Sequence, residues 1–204
     1  MERDTREQIL TVAESVFAEK GFDGARVKDI AARVGVTHAV IHYHFNTKGD
    51  LYRAVADRMV GELLDMATSI PQEPLDPGPK LERFFCSFFD FAARHPHFAR
   101  LANLETGDEG ERYLLALVRE QLAPQYQRAR GFILRGVAAG VFRPVDPEHL
   151  LTAIYGMIVS YFGDSPFIAA ITGGEGLLTE AALEQRRAEL MRMILRTVLV
   201  NPPA

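Results

Sequence analysis

The chain has 204 residues, 48% of them hydrophobic and 25% charged, with a formal net charge of -4. These values are ordinary for a globular protein and argue against a disordered, collagen-like or coiled-coil chain. The single cysteine, Cys86, excludes an intramolecular disulfide framework and any multi-cysteine zinc or iron–sulfur site. The charged start MERDTREQIL is unlike a signal peptide, and no apolar run approaches the ~20 residues of a membrane span. We therefore expect a soluble, cytoplasmic protein that does not enter a membrane.

Apolar residues recur at helical spacing along the whole chain and strand signals are nearly absent, which predicts an all-α protein. The first helix is expected over residues 5–20. Thr5 and Gln8 form a possible capping box at its start, and Gly21 ends it.

Two short helices follow in the sequence pattern. One is expected over residues 27–34, closed by Gly35, and the next runs to about residue 44 with Thr37 as its N-cap. Short helices with glycine between them are typical of a helix-turn-helix.

A long helix is expected to connect this N-terminal unit to the rest of the chain. Thr47 and Asp50 form a second capping box at its start, and the helix continues to about residue 69. The proline-rich stretch PQEPLDPGP, residues 71–79, predicts a loop.

Further helices are expected near residues 80–94, 97–106, 111–139, 147–163 and 178–200. Pro124 should kink the third of these, and Asp146 followed by Pro147 is a favourable start for the fourth. The pattern thus predicts a helix-turn-helix domain over residues 1–50 and a helical domain over residues 51–204.

The charges are distributed unevenly between these parts. Residues 1–58 hold nine Lys or Arg against nine Asp or Glu, so the rest of the chain carries the whole net charge of -4. Residues 20–53 hold six bases against three acids, together with three histidines. A local basic patch on an acidic body is compatible with DNA binding at the N-terminal end.

The most specific motif is GFDGARVKDIAARVGVTHAVIHYHFNTKGDLY, residues 21–52. It resembles the DNA-binding segment of TetR-type transcriptional regulators. The matching residues are Gly21, Phe22, Ile30, Ala31, Gly35, Val36, Thr37, His44, Phe45, Lys48, Leu51 and Tyr52. The resemblance implies a DNA-binding domain followed by a helical ligand-binding and dimerisation domain.

In a helix-turn-helix the second helix enters the major groove, so it needs exposed small or polar residues. The expected DNA-contacting residues are Arg26, Val27, Lys28, Thr37, His38, Ala39, Val40, His42, Tyr43, His44 and Lys48. Lys48 is placed to meet a phosphate at the start of the long helix. For Arg26 and Lys28 there are two alternatives: each binds a phosphate or reaches the edge of a base.

Some positions depart from the usual family pattern. Arg26 replaces the usual Ser or Thr, His38-Ala39-Val40 replaces the common Lys-Gly-Thr, and His42 replaces a tyrosine. These changes leave the core pattern intact and bear on the base preference. His38 and His42 are four residues apart, the spacing of a metal pair, but no third ligand is evident, so no metal or other cofactor is expected.

A phenylalanine-rich segment follows the proline-rich loop. Phe84, Phe85, Phe88, Phe89 and Phe91 exceed what one narrow helical stripe needs. Either all of them pack against neighbouring helices, or some line an apolar cavity for a small, largely apolar effector. The expected pocket residues in the second case are Phe88, Phe89, Tyr126 and Tyr155.

The last two expected helices carry wide apolar stripes, which suggests a homodimer. The expected interface residues are Leu151, Ile154, Ile158, Leu190, Ile194 and Val198. The family resemblance implies that these helices pair with their copies in a four-helix bundle.

Enzyme signatures are absent from the sequence: we find no G-x-S-x-G, P-loop, H-E-x-x-H, dinucleotide fingerprint or C-x-x-C. We therefore expect no enzyme. The expected function is a ligand-responsive repressor that binds a palindromic double-stranded DNA operator as a homodimer. A transcriptional activator, or a ligand-independent regulator of the same fold, is the alternative.

Overall fold

The computed structural model describes residues 2–102, 109–174 and 176–202, and most of these residues are helical. The helices are α1 (Glu2–Gly24), α2 (Val27–Val34), α3 (His38–His44), α4 (Lys48–Ser69), α5 (Pro77–Arg94), α6 (Phe98–Ala102), α7 (Glu109–Leu117), α8 (Ala123–Ala138), α9 (Pro147–Gly163), α10 (Ser165–Thr172) and α11 (Glu180–Val198). The all-α prediction is confirmed.

The chain folds into two compact units. The first, unit 1, comprises Met1–Gly61 with His97–Gln121, and the second, unit 2, comprises Glu62–Pro96 with Leu122–Ala204. This division differs from the expected boundary at residue 50, because α6 and α7 pack on α1 and so join unit 1. The sequence offered no local signal for that long-range packing.

Unit 1 is built on an aromatic cluster between α1 and α4. The Phe17 and Phe22 rings contact the Tyr52 ring edge-on, with centroid distances of 5.0 and 5.4 Å. The helical backbone of α1 breaks at Gly21, whose φ of 68° is in the region that glycine adopts most readily. The predicted end of the first helix is therefore confirmed, and the remaining turn continues to Gly24.

The helix α7 approaches this cluster closely. A Cβ atom at Gly110 would lie 2.8 Å from Cβ of Phe22 and 2.9 Å from Cζ of Tyr52, so only glycine fits there. The Tyr113 hydroxyl donates to Oδ1 of Asp57 at 2.9 Å, and burial together with this carboxylate raises the pKa of Tyr113. Apolar contact and a hydrogen bond thus both fix α7 within unit 1.

The predicted capping boxes have different outcomes. At the start of α4, the Thr47 amide donates to Oδ2 of Asp50 at 3.1 Å and the Asp50 amide donates to Oγ1 of Thr47 at 3.0 Å. This reciprocal pair confirms the second box. The first box is wrong, because α1 begins at Glu2 and Thr5 lies inside it.

Unit 2 is organised around α9 and α5. Helices α5, α8 and α10 pack on α9, and α11 packs on α5. The predicted start of α9 is confirmed, since Oδ1 of Asp146 accepts hydrogen bonds from the amides of Glu148 and His149 at 2.9 Å each. These bonds, the one from His149 first, lower the pKa of Asp146.

Prolines account for several differences between the predicted and observed helix bounds. Pro77 and Pro79 lie in the first turn of α5, so the predicted loop over residues 71–79 ends earlier than expected. The expected helix over residues 111–139 is divided, because a π-helical turn at Val118–Leu122 separates α7 from α8 just before Pro124. The expected helix over residues 97–106 extends past α6 into residues that lie outside the described ranges.

Helix α10 was not predicted. It begins with Ser165-Pro166, a local start signal, directly after α9, and the axes of the two helices differ by 80°. Within the described residues, none of the individual helices has both the length and the apolar composition of a membrane span. The bent pair α9 and α10 has them only when the two helices are taken together.

Candidate nucleic-acid interface

Helices α2 and α3 form the expected helix-turn-helix. The Gly35 residue ends α2 in the left-handed region, with φ of 80°, and its amide donates to the Ala31 carbonyl at 3.0 Å. Ile41 and Phe45 are buried and attach α3 to the core of unit 1. The opposite face of α3 therefore points away from the core of unit 1; we call it the open face.

The expected recognition surface lies on this open face. Thr37, His38, Ala39, His42 and Tyr43 are exposed, and Tyr43 keeps 74% of its surface. Val40 and His44 are half-buried. Thr37 occupies the predicted N-cap position of α3, but its hydroxyl makes no capping hydrogen bond.

Two ion pairs join α2 to α1 beside this surface. The guanidinium of Arg33 binds Glu19 through two hydrogen bonds of 2.9 and 2.6 Å, and Nζ of Lys20 lies 2.7 Å from Oδ2 of Asp29. These hydrogen bonds lower the pKa of Glu19 and the pKa of Asp29. Glu19 and Asp29 therefore each have a direct cationic partner.

The basic residues at the start of α2 do not take part in those two ion pairs. Arg26 is the N-cap residue of α2, and both Arg26 and Lys28 are exposed, while Val27 is half-buried. Their positions leave both charges accessible to a polyanion, as expected for phosphate or base contacts.

Lys48 is placed differently from the sequence expectation. Its Nζ donates to three carbonyls at the end of α1, those of Phe22 at 2.9 Å, Ala25 at 3.3 Å and Asp23 at 3.4 Å. It also lies 4.5 Å from the centroid of the Phe22 ring. Since an ammonium has three donors, Lys48 uses all of them on unit 1 itself and stabilises the turn between α1 and α2.

We predict that Lys48→Ala lowers the free energy of unfolding by about 1–3 kcal/mol, because it removes a charged donor from three carbonyls. Urea unfolding followed by circular dichroism measures this. The control Lys28→Ala, at an exposed site on α2, should change stability by at most about 0.5 kcal/mol. Equal urea midpoints for Lys48→Ala and the unmodified chain would contradict the capping role.

The two histidines on the open face of α3 are in contact. The rings of His38 and His42 meet edge-on with a centroid distance of 4.3 Å, and Nδ1 of His42 lies 3.0 Å from the Asn46 carbonyl oxygen. Among the described residues, no group of three or more His, Cys, Asp or Glu could hold a metal ion.

The four residues expected to line a pocket have different surroundings in the structure. The Phe88 and Tyr155 rings stack with a centroid distance of 6.2 Å, whereas Phe89 is buried against Phe162 and Tyr126 is exposed. Phe89 is therefore packed in the core in this structure, and its assignment to a pocket stays a prediction. Partial burial raises the pKa of Tyr155.

Unit 2 also contains a cleft of about 210 Å³ between the end of α4 and α5. Its lining is mainly polar and includes Glu62, Glu73, Arg83, Asp90 and Arg94, none of which was predicted from the sequence. The volume is below the ~300 Å³ at which drug-sized ligand pockets begin. This cleft is therefore smaller and more polar than the expected effector cavity.

The expected dimer residues lie mostly inside the protomer. Ile154, Ile158, Leu190, Ile194 and Val198 are all buried in unit 2, and Leu151 is half-buried. A side chain already buried in its own protomer has little surface left for a partner. The assignment to an interface does not hold for those five, because the stripes that suggested association fill the core.

Comparison with known proteins agrees with this architecture. Residues 9–55 match the family described as bacterial regulatory proteins of the tetR family, and residues 77–194 match the tetracyclin repressor-like C-terminal domain. The chain is 27% identical over 141 residues to the HTH-type transcriptional repressor NicS of Pseudomonas putida, covering 69% of this chain and 61% of NicS. It is 25% identical over 193 residues to the HTH-type transcriptional regulator RutR of Escherichia coli K12, covering 95% of this chain and 90% of RutR.

A solved structure shows the same fold. The ketosteroid transcriptional regulator KstR2 of Mycobacterium tuberculosis superimposes with a TM-score of 0.76 at 17% identity, covering 96% of this chain and 95% of that one. The matched domains together span most of the chain, which therefore belongs to the TetR family of helix-turn-helix transcriptional regulators. The family resemblance seen in residues 21–52 is confirmed.

Proposed function

We propose that this regulator is a ligand-responsive repressor that binds a palindromic DNA operator as a homodimer and is released by a small effector. The proposal rests mainly on the open face of α3. The side of this helix that carries Ile41 is buried, and the opposite side exposes Thr37, His38, Ala39, His42 and Tyr43. Exposed Arg26 and Lys28 add positive charge beside it. Side chains of this kind read base edges while the neighbouring cations position the protein on phosphates.

The dimer surface in this proposal uses exposed side chains of α9 and α10. Phe167 and Ile171 on α10 each keep 67% of their surface, although both are large and apolar. On α9, Thr152 and Ala153 are exposed, and a Cβ atom at Gly156 would meet nothing within 4 Å. Exposed large apolar side chains on α10 and small exposed residues on α9 both permit packing of a second copy.

The double variant Phe167→Asp/Ile171→Asp should therefore be a folded monomer, because both positions are exposed and only the partner surface is lost. Mass photometry measures the assembly, and circular dichroism checks the fold. Losing the second half-site contact should weaken binding to a two-half-site duplex by about 100-fold or more.

Leu134→Asp on α8 is the matched control, since Leu134 is exposed to 43% and lies outside this surface. It should leave the dimer intact. A dimeric double variant, or a monomeric control, would contradict the proposed surface.

The effector proposal rests on the Phe88 and Tyr155 pair, which offers a partly accessible aromatic surface and a neutral phenol. The chain passes between the units within α4 after Gly61, again at Pro96–His97, and in the π-helical turn at Gln121–Leu122. An effector held in unit 2 would act on unit 1 through these connections. A preference of ~100-fold for the DNA-incompetent state corresponds to about 2.7 kcal/mol of coupling.

The test of this switch is to titrate candidate apolar compounds against the DNA complex while recording DNA affinity and dimer mass together. We expect the compound to release the DNA while the dimer stays intact. The Phe88→Ala variant should need a higher compound concentration for the same release. Dissociation into monomers on release would contradict transmission through the connections.

A further inference from the structure

The ring of His42 is held in a defined orientation on the open face of α3. Its Nδ1 lies 3.0 Å from the Asn46 carbonyl oxygen, and its ring contacts that of His38 edge-on at 4.3 Å. A carbonyl oxygen only accepts hydrogen bonds, so Nδ1 must carry the proton. Turning the ring over would replace Nδ1 with a carbon and lose this bond.

The tautomer follows from this contact. A neutral imidazole carries one proton, and with that proton on Nδ1 the other nitrogen, Nε2, has a free lone pair and accepts hydrogen bonds. His42 is exposed, so this acceptor is available to a ligand. A phosphate offers only acceptors, so neutral His42 in this state has no donor to give it.

The major groove offers matching donors on only two bases. Adenine presents the N6 amino group and cytosine the N4 amino group, whereas guanine and thymine present acceptors at the corresponding edges. We infer that His42 reads the amino group of an adenine or a cytosine through Nε2, and is thus a specificity-determining residue that makes no phosphate contact. The inference rests on the proposed function, in which α3 lies in the major groove.

The tautomer is tested without DNA. Long-range nitrogen–proton NMR spectra of the ¹⁵N-labelled full chain at pH 8 distinguish a protonated from an unprotonated ring nitrogen, and His42→Gln assigns the signals. The inference expects a protonated Nδ1 and an unprotonated Nε2. A proton on Nε2 would overturn it.

The base contact is tested with a duplex selected by the full chain from a random library. Each adenine in a half-site is replaced in turn by unsubstituted purine, and each cytosine by 2-pyrimidinone, which deletes the amino group. Each deletion lowers the affinity of the unmodified chain and of His42→Ala by some factor. At one position per half-site, the factor for the unmodified chain should be about fivefold or more larger than the factor for His42→Ala. Comparing the two proteins cancels the weakened base pairing.

The matched control is His38→Ala, which removes an imidazole one turn earlier on α3 but leaves the Nδ1 bond to the Asn46 carbonyl that fixes the tautomer, so it should keep most of the sensitivity to that amino group. His42→Ala should leave the slope of log affinity against log salt unchanged, whereas loss of a charged imidazolium–phosphate contact would shallow it by about 0.9. A changed slope, or amino-group deletions that cost both proteins equally at every position, overturns the inference alone. Failure to select any duplex overturns the proposed function as well.

Discussion

Replacing Arg58 with alanine should lower the free energy of unfolding by about 3–5 kcal/mol, because it removes the guanidinium that pairs with a buried carboxylate. Nη2 of Arg58 donates to Oε2 of Glu14 at 2.7 Å, and Glu14 keeps only 4% of its surface. The other terminal nitrogen, Nη1, contacts Oγ1 of Thr11 at 3.3 Å. The pair joins α1 to α4 inside unit 1, so the loss is not relieved by solvent. Urea unfolding measured by circular dichroism gives the value.

The matched control is Arg53→Ala on the same helix. Arg53 is about half exposed and lies 3.6 Å from Glu109 and 3.8 Å from Asp50, so its loss should cost less than about 1 kcal/mol. Glu14→Gln combined with Arg58→Met removes both charges and should recover part of the stability lost in Arg58→Ala. Equal losses for Arg58→Ala and Arg53→Ala would show that burial of Glu14 does not determine the energy.

Gly136→Ala should lower the free energy of unfolding by about 3 kcal/mol through overpacking. A Cβ atom at Gly136 would fall inside the van der Waals radius of the Phe142 ring, which is only 1% exposed. The Gly136 carbonyl also accepts from the amides of Val141 and Phe142 at 3.0 Å each. The backbone is therefore held in place on both sides of the clash.

Gly61→Ala is the control for helix propensity alone. A Cβ atom at Gly61, inside α4, would meet nothing within 4 Å, so the variant should be more stable by up to about 1 kcal/mol. Thermal and urea unfolding of the two variants give the comparison. A Gly136→Ala chain that is as stable as Gly61→Ala would mean that the Phe142 ring can move, contrary to its tight packing.

Local signals predicted the parts of the fold that local chemistry determines. The Thr47–Asp50 box and the Asp146 cap are formed by residues two or three apart, and the starts of α4 and α9 were predicted correctly from them. The break at Gly21 likewise follows from the freedom of one residue. The open face of α3 was also predictable, because the apolar residues Ile41 and Phe45, four positions apart, mark its buried side.

Long-range packing determines what the sequence pattern missed. Nothing near Lys48 in the sequence shows that its ammonium meets carbonyls some 23 to 26 positions earlier. The apolar stripe that includes Leu190 and Ile194 is equally compatible with a core and an interface, and only the neighbouring helices decide that it is core. The approach of α7 to Phe22 at Gly110 has no sequence signature.

We propose that the open face of α3 reads a DNA half-site and that two copies of it read an inverted repeat. The most direct measurement is selection of duplexes from a random-sequence library by the purified chain, followed by sequencing. We expect an enriched inverted repeat. Tyr43→Ala, which changes the most exposed aromatic side chain of α3, should alter the enriched half-site while leaving the fold intact. Recovery of no sequence above the input library, or of the same half-site regardless of changes on α3, would contradict it.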